Sequence, residues 1–260
     1  MKLETIRLGE GPKATVLLHG FLGSGRNLRS LAQAWGAVDP SRTFLLPDLT
    51  GHGASQPLPE GTDLFSMARD LLETLQAEGL SGPVELVGHS QGGRVSLACA
   101  ELEPQRVAGV ALLDIGPGPI DSGTTDTGAV VRKLLAAPDR APDRRELRAA
   151  LVSSGLSVPI SEWLVMNVMP DEGGGVRWRF DRQGLSELHT RVNAQDLWPI
   201  VEARRVPIRC VRGERSDYVS DADKARLEAA GCPVATLPGA GHFVHTDAPE
   251  ALLAWLRQGG

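Results

Sequence analysis

Gly88-His89-Ser90-Gln91-Gly92 directly follows Val84-Glu85-Leu86-Val87, a short β-branched and apolar run, and leads into Gly93-Arg94-Val95-Ser96-Leu97-Ala98-Cys99-Ala100. The run predicts a strand that stops at Val87. The stretch after the pentapeptide puts Val95, Ala98 and Cys99 on one apolar face at helical spacing. A chain that turns this sharply from strand to helix needs glycines flanking the turn, because a Cβ there would strike neighbouring backbone. Ser90 is then at the apex, its hydroxyl lifted above the sheet beside a helix N-terminus. A bare G-x-S-x-G recurs by chance; the strand before and the helix after give it a chemical meaning.

Working outward, strands and helices alternate. Ala14–Leu18 reads as a buried strand ending at His19-Gly20, and Asn27–Trp35 as a helix through Leu28, Leu31, Ala32 and Trp35. Thr43–Asp48 is a strand, followed by the glycine-rich loop Leu49–Ser55. Leu64–Glu78 is an amphipathic helix through Met67, Leu71, Leu72 and Leu75. After the Ser90 unit, Val107–Asp114 is a further strand. Ile208–Gly213 and Val234–Leu237 follow far downstream, with helices over Asp223–Ala230 and Pro249–Arg257. Near-continuous apolar strands separated by helices imply a mostly parallel sheet covered on both faces. Residues 116–205 break the rhythm, with Gly116-Pro117-Gly118-Pro119, Gly173-Gly174-Gly175, helical patches and three of the five tryptophans. Such a length far exceeds an ordinary α/β connection. We expect a helical cap over 116–205, inserted before the last strands, on a core of residues 1–115 and 206–260.

Composition narrows the classes. The 260-residue chain is 42% hydrophobic and 23% charged, as for an ordinary globular protein, with room for one substantial core. A net charge of -5 without a Lys/Arg block argues against a nucleic-acid partner. Cys99, Cys210 and Cys232 lack metal-ligand spacing and read as reduced core thiols, and no metal or cofactor is expected. Neither an apolar leader region nor a run approaching the roughly 18 apolar residues of a membrane span is present, so no membrane partner and a cytoplasmic location are expected. The oligomeric state is not legible.

A serine hydroxyl is a weak nucleophile until a base takes its proton, and the base needs a third group to fix its tautomer. Of six histidines, His242 lies in the small-residue loop Gly239-Ala240-Gly241-His242 beyond the last strand, which carries it to the sheet edge where Ser90 emerges. His242 is the expected base, and His245 a supporting or surface residue. His89 is expected to point away from the apex, and His189 falls in the cap. Two aspartates compete for the acid. Asp217 follows the strand ending at Gly213, and Asp114 ends the strand before the cap. Chain order places Asp217 ahead of Asp114. The oxyanion donors are the N–H groups of Gln91, at the helix start, and Phe21, in His19-Gly20-Phe21-Leu22-Gly23-Ser24-Gly25. That loop has neither phosphate-binding glycine pattern.

His19–Ser24, Asp48-Leu49-Thr50-Gly51-His52-Gly53-Ala54-Ser55, Gly88–Gly93 and Gly241-His242-Phe243-Val244-His245 together resemble the α/β-hydrolase superfamily across nearly the whole core. Leu113-Asp114-Ile115-Gly116-Pro117, Arg177-Trp178-Arg179-Phe180 and Ser216-Asp217-Tyr218-Val219-Ser220 look like the ybfF-type small bacterial carboxylesterases. That resemblance implies a capped enzyme acting on small-molecule acyl esters through an acyl-enzyme. It also implies two acid positions, since members lacking an Asp at the position of Asp217 use the one matching Asp114. A second resemblance is to the menaquinone-pathway lyase of the same fold, in His19–Ser24 and Ser90-Gln91-Gly92-Gly93-Arg94. A lyase acting on an anionic substrate needs a basic pocket residue, for which Arg94 is the candidate. Serine at the elbow excludes aspartate-nucleophile dehalogenases and epoxide hydrolases. Lactone, thioester or C–C hydrolysis, perhydrolysis and a weakly catalytic ligand sensor stay open as alternatives to carboxylesterase.

Overall fold

The computed structural model describes residues 1–121 and 126–258; residues 122–125 of the expected cap and 259–260 of the expected core lie outside the described residues. In chain order, the first half comprises β1 (Thr5–Leu8), β2 (Lys13–Leu18), α1 (Arg29–Val38), β3 (Arg42–Pro47), α2 (Leu64–Ala77), β4 (Val84–His89), α3 (Gln91–Leu102) and β5 (Val107–Leu113). The next segment holds α4 (Asp126–Ala136), β6 (Arg140–Ala141), α5 (Arg144–Ser153), α6 (Val158–Leu164), β7 (Val168–Pro170), β8 (Val176–Trp178), α7 (Arg182–Ala194) and α8 (Trp198–Glu202). The chain closes with β9 (Ile208–Gly213), α9 (Asp221–Ala229), β10 (Val234–Leu237), α10 (Val244–Asp247) and α11 (Pro249–Arg257).

Seven strands form one sheet in the order β1-β3-β2-β4-β5-β9-β10. All pairings are parallel except that of β1 with β3. Consecutive side chains on a strand point to opposite faces, and the packing follows. Val16 and Leu18 join Leu86, Leu112 and the buried faces of α2 and α3 in one core layer. Leu17, Val87, Ala111 and Val211 face the other way, against Trp35 of α1 and Leu252 and Leu256 of α11. Helices thus cover both faces.

Strand order positions the site. From β2 the sheet grows one way through β3 and the other way through β4 and β5, and the carboxyl ends of strands at such a reversal open onto a crevice. The register pairs Leu18 with Gly88, His89 with Leu113, Leu113 with Val211 and Gly213 with Leu237. The loops after β2, β4, β5, β9 and β10 therefore leave one edge of the sheet side by side.

Two features differ from the sequence reading. β1 was not anticipated; it is a four-residue antiparallel edge strand with little periodicity to detect. The 116–205 segment was expected as a helical cap, yet beside its helices it holds an antiparallel sheet in the order β6-β8-β7. Those strands have two or three residues each, too short to express a period of two.

Candidate active site

β4 runs to His89, two residues beyond the expected stop, and α3 begins at Gln91, so a single residue makes the turn. That residue is Ser90, with φ 51° and ψ -118°, a conformation L-residues rarely adopt. Strain of this kind persists only where the surroundings over-determine it. Here the Ser90 N–H donates to Leu113 O at 3.1 Å, and the Gly93 N–H donates to Ser90 O at 2.9 Å. A Cβ on Gly88 would collide with the backbone of Gly92 and Gly93, and one on Gly92 with the carbonyl of Leu18. Strand, turn and helix close onto each other only because these positions have no side chain.

His242 follows β10 and is brought over the edge by its own loop. His242 Nδ1 lies 2.7 Å from Asp114 Oδ2. Asp114 is the residue after β5, fully buried, with φ 54°. Its carboxylate also accepts from the Gly213 N–H at 2.8 Å and from the Ser216 hydroxyl. An imidazole that donates Nδ1–H to a carboxylate keeps its lone pair on Nε2.

The carboxylate brought to His242 is therefore Asp114. Asp217, placed ahead by chain order, is exposed, and no hydrogen bond joins it to His242 among the described residues. The turn after β9 explains the difference. Glu214 and Arg215 are tied by their N–H groups to Leu237 O and Ala240 O, and Ser216 folds back on Gly213 O. The hydroxyl of Ser216 thus reaches Asp114 and the ring of Tyr218 lies stacked on His242, with centroids 3.9 Å apart and planes at 21°. Asp217, between them, faces outward.

His89 was expected to point away from the apex; it reaches His242. Its Nε2–H donates to His242 O at 2.9 Å, and its ring centroid is 4.7 Å from those of both His242 and His245. Burial, reinforced by the neighbouring imidazoles, holds His89 well below the usual histidine range. Burial likewise lowers His245 to about 4. Ser216 and Tyr218 were not singled out from the sequence, although both stand inside quoted motifs.

The loop after β2 runs against the elbow. A Cβ on Gly20 would lie 2.8 Å from His89 Nδ1 and 3.3 Å from Ser90 Cβ, so only glycine lets this backbone approach. His19 Nδ1–H donates to Gly20 O at 2.7 Å, while its Nε2 accepts the Leu49 N–H at 2.9 Å; burial lowers its pKa to about 4. Asp48 accepts from the N–H groups of Gly25 and Ala54, at 2.8 and 2.7 Å. Together these bonds hold the Phe21 loop to the 48–55 loop. The Phe21 ring packs between His189, at 4.3 Å between centroids, and His52, at 5.8 Å. His189 also lines a cavity of about 650 Å³ with Ile120, Val131, Arg132, Ser186 and Thr190.

Arg94 is not a pocket cation. It is fully buried, and its guanidinium donates to the carbonyls of Gly116, Gly118, Val192 and Gln195. Burial lowers its pKa to about 10. Among the described residues no cluster of His, Cys, Asp or Glu is arranged to hold a metal, and no helix is long and apolar enough to cross a membrane.

A sequence model described as "Alpha/beta hydrolase family" matches residues 15–255. The chain belongs to the alpha/beta hydrolase family. Among relatives within and around this family, esterase YbfF of Escherichia coli is 27% identical over 247 residues, covering 94% of this chain and 91% of its own. The sn-1-specific diacylglycerol lipase ABHD11 of Mus musculus is 29% identical over 247 residues, covering 91% of this chain and 77% of its own. A solved marine microorganism esterase superposes with a TM-score of 0.88 at 26% identity, covering 99% of this chain and 98% of that one. The α/β-hydrolase fold and the ybfF-type resemblance read from the sequence thus agree with the family and its neighbours.

Proposed function

We propose that this alpha/beta hydrolase is a serine carboxylesterase that works through an acyl-enzyme, with Ser90 as nucleophile, His242 as base and Asp114 as acid. The observation that carries the reading is the 2.7 Å contact from His242 Nδ1 to Asp114 Oδ2, at the sheet edge where the strained Ser90 turn emerges. Ser90 Oγ attacks the ester carbonyl carbon while His242 Nε2 takes its proton. The N–H groups of Phe21 and Gln91 receive the oxyanion, the second helped by its place at the start of α3. Collapse of the tetrahedral intermediate breaks the acyl–oxygen bond, and His242 gives its proton to the departing alcohol. Water then attacks the acyl-enzyme, again deprotonated by His242, and releases the acid. Asp114, fed by Gly213 and Ser216, holds the imidazole tautomer and stabilises the imidazolium.

Residues 116–205 are the cap in this reading, and their His189 packs on the Phe21 ring of the oxyanion loop. The lyase alternative is disfavoured because Arg94 is spent on four backbone carbonyls. Three buried free cysteines suit a reducing compartment, and the proposal includes a cytoplasmic location.

The test is hydrolysis of p-nitrophenyl esters from acetate to decanoate by the wild type and by Ser90→Ala, with lactone and thioester substrates alongside. Multiple turnovers lost in Ser90→Ala support the reading. Full activity in the variant overturns the nucleophile, and a single stoichiometric burst points to the ligand-sensor alternative.

A further inference from the structure

Tyr218, the one tyrosine of the sequence, reaches several parts of the site. Its ring lies flat on the imidazole of His242, with centroids 3.9 Å apart and planes at 21°. Its hydroxyl shares a 2.6 Å hydrogen bond with Thr127 Oγ1, on the first turn of α4. Its carbonyl accepts the Gly116 N–H at 3.1 Å, two residues past Asp114, where the chain leaves the sheet for the 116–205 segment. The imidazole thus has its Nδ1 edge fixed by Asp114 and one face fixed by Tyr218. On other sides it meets the rings of His89, at 4.7 Å, and Phe243, at 5.5 Å.

A hydrogen bond along the Nδ1–Oδ2 line leaves the ring free to rock about that line. Such rocking swings Nε2, the atom that must meet the serine proton, across the site. An aromatic plane stacked on the imidazole opposes that motion directly. Ser216 helps to set where the Tyr218 backbone sits, its hydroxyl accepting the Tyr218 N–H at 3.4 Å. At its edge, the Tyr218 ring is tied through its hydroxyl to Thr127 of α4.

We propose that Tyr218 is a positioning residue that couples the 116–205 segment to the catalytic base: its ring sets the plane of His242, and its hydroxyl ties that setting to Thr127 on α4. Seating of α4 is therefore felt at Nε2 of the base through the Tyr218 ring. The inference rests on the Ser90–His242–Asp114 reading, because a plane needs setting only if Nε2 transfers protons.

The test compares Tyr218→Leu, Tyr218→Phe, Thr127→Val and the Phe/Val double variant on p-nitrophenyl acetate, each checked for folding by circular dichroism. Tyr218→Leu removes the aromatic plane and should lower kcat by about 10²-fold, the scale of a misplaced catalytic group, with KM within about threefold of wild type. Tyr218→Phe keeps the plane and should restore kcat to within about fivefold, the worth of one neutral hydrogen bond. Thr127→Val should match Tyr218→Phe, and the double variant should lose no more than either, because all three break the same bond.

Wild-type kcat in Tyr218→Leu, equal losses in Leu and Phe, or a loss confined to KM overturns the positioning role. Multiplying losses in the double variant, or wild-type kcat in both single variants, overturns the coupling to α4. If Tyr218→Leu does not fold, the Phe, Val and double variants decide the matter through the downfield proton resonance of His242 Nδ1–H. All three should broaden it alike; an unaltered resonance overturns the proposal. Labelling by a fluorophosphonate separates the two levels. Wild type labelled at Ser90, with Tyr218→Leu labelled at the same rate, sinks the positioning role and spares the hydrolase; wild type not labelled at Ser90 sinks both.

Discussion

Asp114 and His242 stand 128 residues apart in the chain, and in the structure Asp114 Oδ2 lies 2.7 Å from His242 Nδ1. The contact follows from strand order. β5 is the neighbour of β4 on one side and of β9 on the other, so the residue after β5 emerges between the Ser90 elbow and the loops that follow β9 and β10. Asp114 needs only its left-handed turn to aim its carboxylate at His242.

The two aspartates can be told apart by substitution. Asp114→Asn keeps the shape but replaces an acceptor of three donors with an amide, which favours the wrong imidazole tautomer. The expected loss in kcat on p-nitrophenyl acetate is about 10⁴-fold. Asp217→Asn changes an exposed side chain and should leave kcat within about twofold and stability within ~0.5 kcal/mol. Steady-state kinetics on the two purified variants decides it, and a severe loss in Asp217→Asn with a mild one in Asp114→Asn would reverse the assignment.

The β4–Ser90–α3 unit was legible because local rules agree there: an apolar run, glycines where backbones touch, and a helical face. His242 was legible for the same reason, from a small-residue loop after a strand. Which aspartate meets His242 was not, since chain order admits both and only the register of β5 against β4 and β9 separates them. Nor does sequence say which of Ser216, Asp217 and Tyr218 turns inward. Arg94 reads from the sequence as a candidate pocket cation because the spacing gives α3 one apolar face; its residues from Gln91 to Ala100 are all buried, so Arg94 is enclosed whichever way it points.

Ser216 is expected to support Asp114. Its hydroxyl donates to the same oxygen of Asp114 that faces His242, inside a fully buried carboxylate site. Hydrogen bonds to buried charged groups are worth roughly 1.5–3 kcal/mol. Ser216→Ala should therefore lower unfolding free energy by about that amount and reduce kcat, though by far less than Asp114→Asn. Urea unfolding and kinetics on one preparation check both; an unchanged midpoint and unchanged kcat would show that the hydroxyl contributes nothing to the site.

The buried histidines predict an acid limit to stability. His19, His189 and His245 are lowered to about 4 and His52 to about 3, chiefly by burial, with His89 also well below its ordinary range. A histidine kept neutral in the fold but protonated in the unfolded chain makes the unfolded state the greater proton binder below about pH 6.5. Stability is then constant above that pH and falls as pH drops from about 6.5 toward 4, by about 1.4 kcal/mol per pH unit for each such histidine. Thermal melts between pH 8 and 4.5 should show a flat Tm at the alkaline end and a steep fall below pH 6. A Tm still level at pH 5 would contradict the neutral, buried assignment.

Arg94 separates a structural cation from a substrate-binding one. Its guanidinium bonds Gly116 and Gly118, where the chain leaves the sheet after β5, and Val192 and Gln195, near where it returns. One side chain therefore ties both ends of the 116–205 segment to the first turns of α3. Lysine cannot reproduce a planar fork that serves four acceptors. Methionine fills the volume but leaves buried carbonyls short of donors, at roughly 1–3 kcal/mol for each one left without a partner. Arg94→Met should lower unfolding free energy by about 3 kcal/mol or more, with Arg94→Lys only slightly better. At a temperature where the variant remains folded, its KM for neutral esters should stay near that of the wild type. The opposite pattern, an unchanged Tm with selective loss of binding to carboxylate-bearing substrates, would place the guanidinium in the pocket and revive the anionic-substrate lyase.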